Sequence, residues 1–169
     1  ELRWARLEPN VIIYNAGISA CEKGGSWQHA LLLLGELWVA ELEPTDISYS
    51  AGISACQRGG QWQGALSLLR DLREAKLRLN IICYNSAIGA CEHSKQWQHA
   101  LSLLGEIREV ELEPDIFSYT AGISACEKGG QWRQALLLLS SAGDEKLGAN
   151  TFGYNYAVSA CAKGGEWQL

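Results

Sequence analysis

Small polar side chains recur along the chain at a fixed spacing, and their chemistry is hydrogen bonding rather than proton transfer. One column recurs every 35 residues: Asn15, Ser50, Asn85, Thr120 and Asn155. A merely solvated helix surface would be expected to use Glu, Lys, Gln or Ala, and plain duplication would copy one residue type. A second polar column ends each interval: Thr45, Asn80, Asp115 and Asn150. These two columns are the candidates for specific recognition.

No arrangement typical of catalysis or metal binding accompanies these columns. The sequence has no paired carboxylates, no Ser/His/Asp or Cys/His constellation and no phosphate-binding loop after a strand. It has no C-x-x-C motif, and His29, His93 and His99 complete no ligand set for zinc. The sequence therefore predicts a protein that is not an enzyme and needs no metal, cofactor or small-molecule substrate. For His29 and His99 we expect solvated surface positions.

Composition and charge narrow the class of protein further. The 169 residues are 47% hydrophobic and 20% charged, which is typical of a folded domain. The apolar runs are far too short to cross a bilayer, so no membrane insertion is expected. Fourteen basic and nineteen acidic residues give a net charge of −5, which is unfavourable for holding a polyanion. Because Met is absent and Glu1 comes first, we expect a fragment of a longer protein, with any targeting segment outside it.

The chain consists of repeats with a period of 35 residues. Three further columns keep the register: Tyr14, Tyr49, Tyr84, Tyr119, Tyr154; Cys21, Cys56, Cys91, Cys126, Cys161; and Trp27, Trp62, Trp97, Trp132, Trp167. The frame places the end of a preceding repeat at 1–10, then repeats at 11–45, 46–80, 81–115 and 116–150, and an incomplete repeat at 151–169. We expect all of them to form one solenoid domain.

The apolar spacing within each repeat predicts two amphipathic helices. Tyr14, Ile18 and Cys21 share one face of the first helix, and Gly24 and Gly25 end it. The second helix has a single apolar stripe, formed by Trp27, Ala30, Leu31, Leu34 and Leu37. One such hairpin cannot enclose a core, but stacked copies can, so the pattern predicts an all-α solenoid of helix-turn-helix repeats.

These residues resemble the pentatricopeptide repeat in its plain 35-residue form. The resemblance is carried by Tyr14-Asn15, residues 20–24, Ala30-Leu31 and residues 42–44, and it covers the whole chain in one gapless frame. A tetratricopeptide array has a period of about 34 residues and a different motif, so it does not fit. The resemblance implies that the repeats form a right-handed superhelix. It also implies that the protein acts in an organelle, such as the chloroplast or mitochondrion.

The resemblance also implies single-stranded RNA as the partner, with one base bound per repeat. The base-reading pairs would be Asn15 with Thr45, Ser50 with Asn80, Asn85 with Asp115, and Thr120 with Asn150; Asn155 has no partner within the chain. Apolar side chains would wedge between bases: Ile12, Ile47, Ile82, Phe117 and Phe152. Basic side chains would meet the RNA backbone: Lys23, Arg58, Lys128 and Lys163, with His93 as a departure.

The pairing habits of the family translate these residues into a base sequence. Ser-Asn and Thr-Asn favour adenine, Asn-Asp favours uracil, and asparagine alone suggests a pyrimidine (Y). The implied target is 5′-Y-A-U-A-Y-3′, and the implied role is the stability, processing or translation of organellar transcripts. Because charges balance on the first helices, we expect micromolar affinity or weaker, and a salt slope near −3 if four cations meet phosphates.

Simpler interpretations remain open for several columns. Asn10, Thr45, Asn80, Asp115 and Asn150 all precede a helix, so they are also good N-caps. The Trp column is expected to belong to the core rather than to stack on RNA, whereas Trp4 and Trp38 have no inferred role. The cysteines are expected to be small, buried, reduced residues, because adjacent helices hold them too far apart for disulfides. The acidity also favours an alternative function, a scaffold subunit that contacts proteins of a large organellar assembly.

Overall fold

The computed structural model describes residues 10–144 and 151–165, and the regular structure in these ranges is helical. Its helices are α1 (Val11–Lys23), α2 (Trp27–Val39), α3 (Asp46–Arg58), α4 (Trp62–Glu74), α5 (Ile81–His93), α6 (Trp97–Glu109), α7 (Ile116–Lys128), α8 (Trp132–Asp144) and α9 (Thr151–Lys163). The odd-numbered helices begin every 35 residues. Among the helices in these ranges, none combines the length and apolar character needed to span a bilayer.

The chain divides into two compact units, Glu1–Leu79 and Asn80–Leu169. In the first unit, α1 packs against α2 and α3, and α3 also packs against α2 and α4. In the second unit, α5 packs against α6 and α7, while α7 also packs against α6, α8 and α9. Within each unit, therefore, the first helices of successive repeats lie side by side, and a second helix packs against the first helices on either side of it.

The residue that precedes each of α1, α3, α5 and α7 caps that helix. The side chains of Asn10, Thr45, Asn80 and Asp115 each accept a hydrogen bond from the backbone N–H three residues later. The N···O distances are 3.0 Å at Asn10 and 2.9 Å at Asn80 and Asp115. Such a cap stabilises a helix by about 1 kcal/mol, so the capping interpretation of this column is confirmed. Asn150 lies outside the described residues.

Two glycines follow each of α1, α3, α7 and α9, and their roles differ. The second glycine is left-handed, with φ of +69° at Gly25 and +63° at Gly60, and this conformation ends the helix. The first glycine has a right-handed conformation, with φ of −84° at Gly59, which any residue can adopt. Glycine is needed there because it has no side chain. A Cβ at Gly59 would collide with the ring of Trp27 in the preceding repeat.

The repeated tryptophans pack between repeats, as expected for core residues. A Cβ on Gly129 would collide with Trp97, and one on Gly164 with Trp132, as happens between Gly59 and Trp27. The Trp residues at the start of α2, α4, α6 and α8 are half-buried. The Trp column therefore contributes to packing; Trp4 and Trp167 lie outside the described residues, and Trp38 is exposed.

The interior of each unit is built from the remaining repeated columns. Tyr14, Tyr49, Tyr84 and Tyr119 are buried. Cys56, Cys91 and Cys126 are fully buried free thiols, and burial raises the pKa of each to about 11. Cys21 and Cys161 are free thiols as well but only half-buried. The prediction of small buried cysteines is thus confirmed for the three middle repeats.

Candidate nucleic-acid interface

Every first helix carries a large apolar side chain at its second position, and water reaches each one. The exposed fractions are 77% for Ile12, 60% for Ile47 and Ile82, 68% for Phe117 and 64% for Phe152. A side chain exposed to this extent adds little to the stability of the fold, since burial of apolar area is what stabilises. The predicted wedge residues of each unit are therefore apolar side chains open to a ligand; we call the five residues together the wedge column.

The first polar column lies one helical turn after the wedge column. Asn15 follows Ile12 by three residues and Asn85 follows Ile82 by three, and this spacing places side chains on the same side of a helix. Asn15, Ser50, Asn85 and Thr120 are half-buried, whereas Asn155 is exposed. An apolar group and a hydrogen-bonding group are thus neighbours on each first helix, which is the combination that a stacked and hydrogen-bonded base requires.

In the first unit the structure brings Asn15 and Thr45 together, as predicted from the sequence. Asn15 Nδ2 donates to Thr45 Oγ1 at 3.3 Å, and Asn15 Oδ1 accepts from Ser48 Oγ at 2.6 Å. Ser48 Oγ also accepts from the backbone N–H of Thr45 at 2.9 Å. Asn15, Thr45 and Ser48 therefore form a hydrogen-bonded triad rather than a pair. The amide of Asn15 retains one N–H and one lone pair for a ligand.

The second unit contains the same arrangement with a carboxylate in place of the hydroxyl. Asn85 Nδ2 donates to both Asp115 oxygens, at 3.1 and 3.2 Å, and Asn85 Oδ1 accepts from Ser118 Oγ at 2.6 Å. The backbone N–H of Asp115 donates to Ser118 Oγ at 3.1 Å. Because a carboxylate only accepts hydrogen bonds, Asp115 fixes the amide nitrogen of Asn85 on its own side.

The other members of the two polar columns are placed differently. Ser50 and its predicted partner Asn80 fall in different compact units, and Asn80 caps α5. The hydroxyl of Thr120 donates to the backbone oxygen of Ile116 in its own helix at 2.6 Å. The predicted partner of Thr120, Asn150, lies outside the described residues.

Most of the cations predicted to meet the RNA backbone are already paired with glutamates of the preceding repeat. Lys128 Nζ lies 2.7 Å from Glu92 Oε1, and Arg58 Nη2 lies 3.6 Å from Glu22 Oε1. Lys163 pairs in the same way with Glu127. Lys23 and His93 are exposed. A phosphate that approaches one of the three paired cations must therefore compete with a carboxylate.

Glu127 shows how strongly this pairing acts. Burial alone would raise the pKa of its carboxyl group, because a buried charge is poorly solvated. Hydrogen bonds from Lys163 and Ser159, together with the charges of Lys163 and Lys128, outweigh that effect, and the pKa lies below the ordinary value. Glu127 is therefore ionised at neutral pH and acts as a permanent counter-ion on α7.

Sequence reasoning overlooked two sets of residues that complete this surface. The serines of the triads, Ser48 and Ser118, stand at the third position of the repeat that follows an asparagine. The counter-ions stand one repeat and one residue before their cations, because Glu22 precedes Arg58 by the same interval as Glu92 precedes Lys128. Both sets recur at sequence separations close to the 35-residue period, 33 residues for the serines and 36 for the glutamates. These separations alone do not show a contact; the packing of neighbouring first helices does.

The same surface shows no sign of a metal centre. Among residues 10–144 and 151–165, no group of three or more His, Cys, Asp or Glu side chains is arranged to hold an ion.

Comparison with known protein families identifies the repeat. The sequence model described as "Pentatricopeptide repeat domain" matches residues 67–129, and the model described as "PPR repeat" matches residues 47–77. Together the two matches cover residues 47–129, from α3 to one residue past the end of α7. No curated protein matches the chain in sequence.

Solved structures show the same fold. The pentatricopeptide repeat protein PPR10 in complex with an 18-nucleotide psaJ RNA element superposes with a TM-score of 0.83 at 21% identity, and PPR10 from maize with 0.76 at 26%. In both cases 98% of this chain is covered, but it spans only 24% of PPR10. The PPR domain of Arabidopsis thaliana protein-only RNase P 1, in complex with tRNA, matches with a TM-score of 0.75 at 11% identity, covering 89% of this chain and 83% of that domain. The predicted all-α helical-repeat solenoid is thereby confirmed.

Proposed function

Because this chain is a pentatricopeptide repeat protein, we propose that it binds single-stranded RNA through its first helices, with one base per repeat. The base would stack on the wedge column and would hydrogen-bond to the polar residue one turn further along the helix. PPR10 and the Arabidopsis RNase P domain, which share this fold, were both solved in complex with RNA. Their ligands support RNA as the partner of this chain.

The observation that carries the proposal is the pairing of an exposed apolar side chain with a hydrogen-bonding side chain on each first helix. Phe117 is 68% exposed, so burial in the core does not explain a large aromatic residue at this position. The aromatic face of a side chain in such a position is suited to stack on a base, and each stacked base contributes about 1–3 kcal/mol. The amide of Asn85 adds a donor and an acceptor of fixed orientation.

The finer assignment is that the array reads 5′-Y-A-U-A-Y-3′. In this assignment the pairs Asn15–Thr45, Ser50–Asn80, Asn85–Asp115 and Thr120–Asn150 read the first four bases, and Asn155 reads the last. Lys23, Arg58, His93, Lys128 and Lys163 would lie near the RNA backbone. The role is binding without catalysis, in the metabolism of organellar transcripts.

A binding experiment with two labelled RNAs tests the proposal. We expect an RNA that contains UAUAU to bind more tightly than one of equal length with GCGCG at the same positions. A double variant, Asn85→Ala with Asp115→Ala, should lose part of this preference, whereas Gln98→Ala on the exposed start of α6 should retain it. Equal affinity of the wild-type protein for both RNAs would contradict base recognition.

A scaffold function is the second candidate, and the ion pairs favour it. Three of the cations on the first helices are held by glutamates, and the whole chain carries a net charge of −5. A surface of this kind offers a polyanion little electrostatic attraction, but it can contact polar segments of proteins within an assembly. Co-purification of the chain with RNA that is lost on ribonuclease treatment would favour the first function, whereas ribonuclease-resistant protein partners bound to the wedge column would favour the second.

A further inference from the structure

Asn15 and Asn85 on the first helices are each held by a serine from the following repeat. Ser48 Oγ lies 2.6 Å from Asn15 Oδ1, and Ser118 Oγ lies 2.6 Å from Asn85 Oδ1. The two contacts occur in separate compact units with the same geometry. Where the polar column carries Ser50 or Thr120 instead, the equivalent residues of the next repeat are Cys83 and Gly153. The serine is therefore present where the preceding repeat offers an amide.

The hydrogen-bonding capacity of Ser118 determines how it can act. Its oxygen accepts the backbone N–H of Asp115 at 3.1 Å, so its single hydrogen is available for an acceptor. Two acceptors lie within reach, Asn85 Oδ1 at 2.6 Å and Asp115 Oδ1 at 3.0 Å. The nearer one is the amide oxygen. Asp115 binds the nitrogen end of the same amide, so the amide is held at both ends.

Orientation of an amide matters because the two pyrimidines present opposite patterns. Uracil offers a donor at N3 and an acceptor at O4, whereas cytosine offers an acceptor at N3 and a donor at N4. An asparagine amide that is free to turn can match either pattern, because its oxygen and nitrogen are similar in size and exchange places on rotation. An amide held at both ends can match only one of them.

We propose that Ser118 is a positioning residue for base recognition by Asn85, and that Ser48 has the same role for Asn15. The hydroxyl group fixes the plane and direction of the amide, and thereby contributes to the choice between uracil and cytosine at the third base of the target. The unit of recognition is then a triad of three side chains rather than a pair. This inference rests on the proposed RNA-binding function.

The two triads differ in how firmly the amide is held. Asp115 can only accept, so the Asn85 triad has a single arrangement of hydrogens. In the Asn15 triad, the Thr45 and Ser48 hydroxyls lie 3.2 Å apart and either can be the donor. The amide of Asn15 can therefore turn over while the ring of hydrogen bonds is restored in the opposite sense. The third base should accordingly be discriminated more sharply than the first.

The test compares two RNAs that differ at the third base, UAUAU and UACAU, on the whole chain. Wild type should prefer uracil by about fivefold or more. Ser118→Ala should lower the ratio of the two affinities by about fivefold, the equivalent of one net hydrogen bond. Ser124→Ala is the matched control, because Ser124 is a buried serine on the same helix whose hydroxyl donates to Glu92 instead; its ratio should equal that of wild type within twofold.

Ser118→Cys keeps the size of the buried side chain and replaces the hydroxyl by a weak donor, so it remains informative if the alanine variant folds poorly. It should also lower the ratio. A ratio of affinities that stays unchanged in both Ser118 variants overturns this inference while leaving RNA binding intact. A wild-type protein that binds neither RNA overturns the proposed function, and this inference with it.

A readout without RNA separates positioning from a general loss of stability. In the free protein, NMR should show slow exchange with water for the side-chain amide proton of Asn85 that donates to Asp115, because hydrogen bonds at both ends hold the amide in place. This proton should exchange faster in Ser118→Ala and remain slowly exchanging in Ser124→Ala. Equally slow exchange in all three proteins would show that Ser118 does not hold the amide.

Discussion

Lys128 and Glu92, which are 36 residues apart in sequence, form an ion pair of 2.7 Å between the first helices of neighbouring repeats. Ser124 Oγ donates to the same carboxylate oxygen at 2.8 Å. The two side chains are 33% and 18% exposed, so water screens the attraction between their charges less than in a fully exposed ion pair. One of the cations predicted to meet the RNA backbone is therefore also part of the packing between repeats.

The first prediction concerns the salt dependence of RNA binding. Four cations free to bind phosphates would give a slope of log Kobs against log salt near −3. Because Arg58, Lys128 and Lys163 are paired with glutamates, we expect a shallower slope for wild type. Glu92→Gln should make the slope steeper and the binding tighter at low salt. A wild-type slope of −3 or steeper would show that RNA displaces the glutamates completely.

The second prediction concerns stacking. Phe117→Ala should weaken RNA binding by roughly fivefold to a hundredfold, since a stacked base contributes about 1–3 kcal/mol. The free energy of unfolding should change little because the ring is 68% exposed. Leu137→Ala on α8 is the control, because Leu137 is exposed to the same extent on a second helix and should leave the affinity unchanged. Equal losses in both variants would refute a specific role for the wedge column.

The third prediction concerns the identity of the base. Asn85→Ser with Asp115→Asn gives the third repeat the Ser-Asn pair of the second repeat, and should change its preference from uracil to adenine. Titration of UAUAU and UAAAU should then show the order of affinities reversed, with about a fivefold preference for each net hydrogen bond gained. The corresponding double variant of the first repeat, Asn15→Ser with Thr45→Asn, should change the preference at the first base and leave the preference at the third base unaffected. If the third base is bound with unchanged preference in the first double variant, the assignment of Asn85 is wrong.

The fourth prediction concerns pH. The pKa of Glu127 lies below its ordinary value of 4.5 in the folded protein, so its pairing with Lys163 stabilises the fold above pH 4.5. This contribution is lost as the pH falls below 4.5 and through the lowered pKa. Urea unfolding should show Glu127→Gln to be less stable than wild type at pH 7, with a smaller difference at pH 3.5. Glu109→Gln, on the exposed end of α6, should have no effect that depends on pH; a Glu127→Gln difference that persists in acid would argue against the ion pair.

The fifth prediction concerns the thiols. Burial raises the pKa of Cys56, Cys91 and Cys126 to about 11, so about one thiol in a thousand is ionised at pH 8. Alkylation with iodoacetamide, followed by mass spectrometry of peptides, should modify Cys21 and Cys161 first, because both are only half-buried. In urea all of these cysteines should react at similar rates. Rapid reaction of Cys91 in the folded protein would contradict the packing of α5.

The helices, their ends and their buried faces could be predicted from the sequence because they follow from local rules. A period of 35 residues, the apolar spacing around Tyr14 and the glycines that follow first helices, such as Gly24 and Gly25, define a two-helix repeat without reference to any contact. The wedge column followed from the resemblance to the family, and the exposure of Phe117 agrees with an outward position. The proposed base sequence stays a prediction.

Contacts between repeats could not be predicted from the sequence in this way, because they depend on how one first helix lies against the next. The sequence showed Glu92 and Lys128 as opposite charges in balance, and the structure makes them an ion pair. Likewise Ser118 had no assigned role until α7 packed beside α5 and placed its hydroxyl on Asn85. The repeat period alone determined which side chains recur, since helix geometry is local; only the packing of helices decided which of them touch, since a contact needs two segments at a fixed distance and angle.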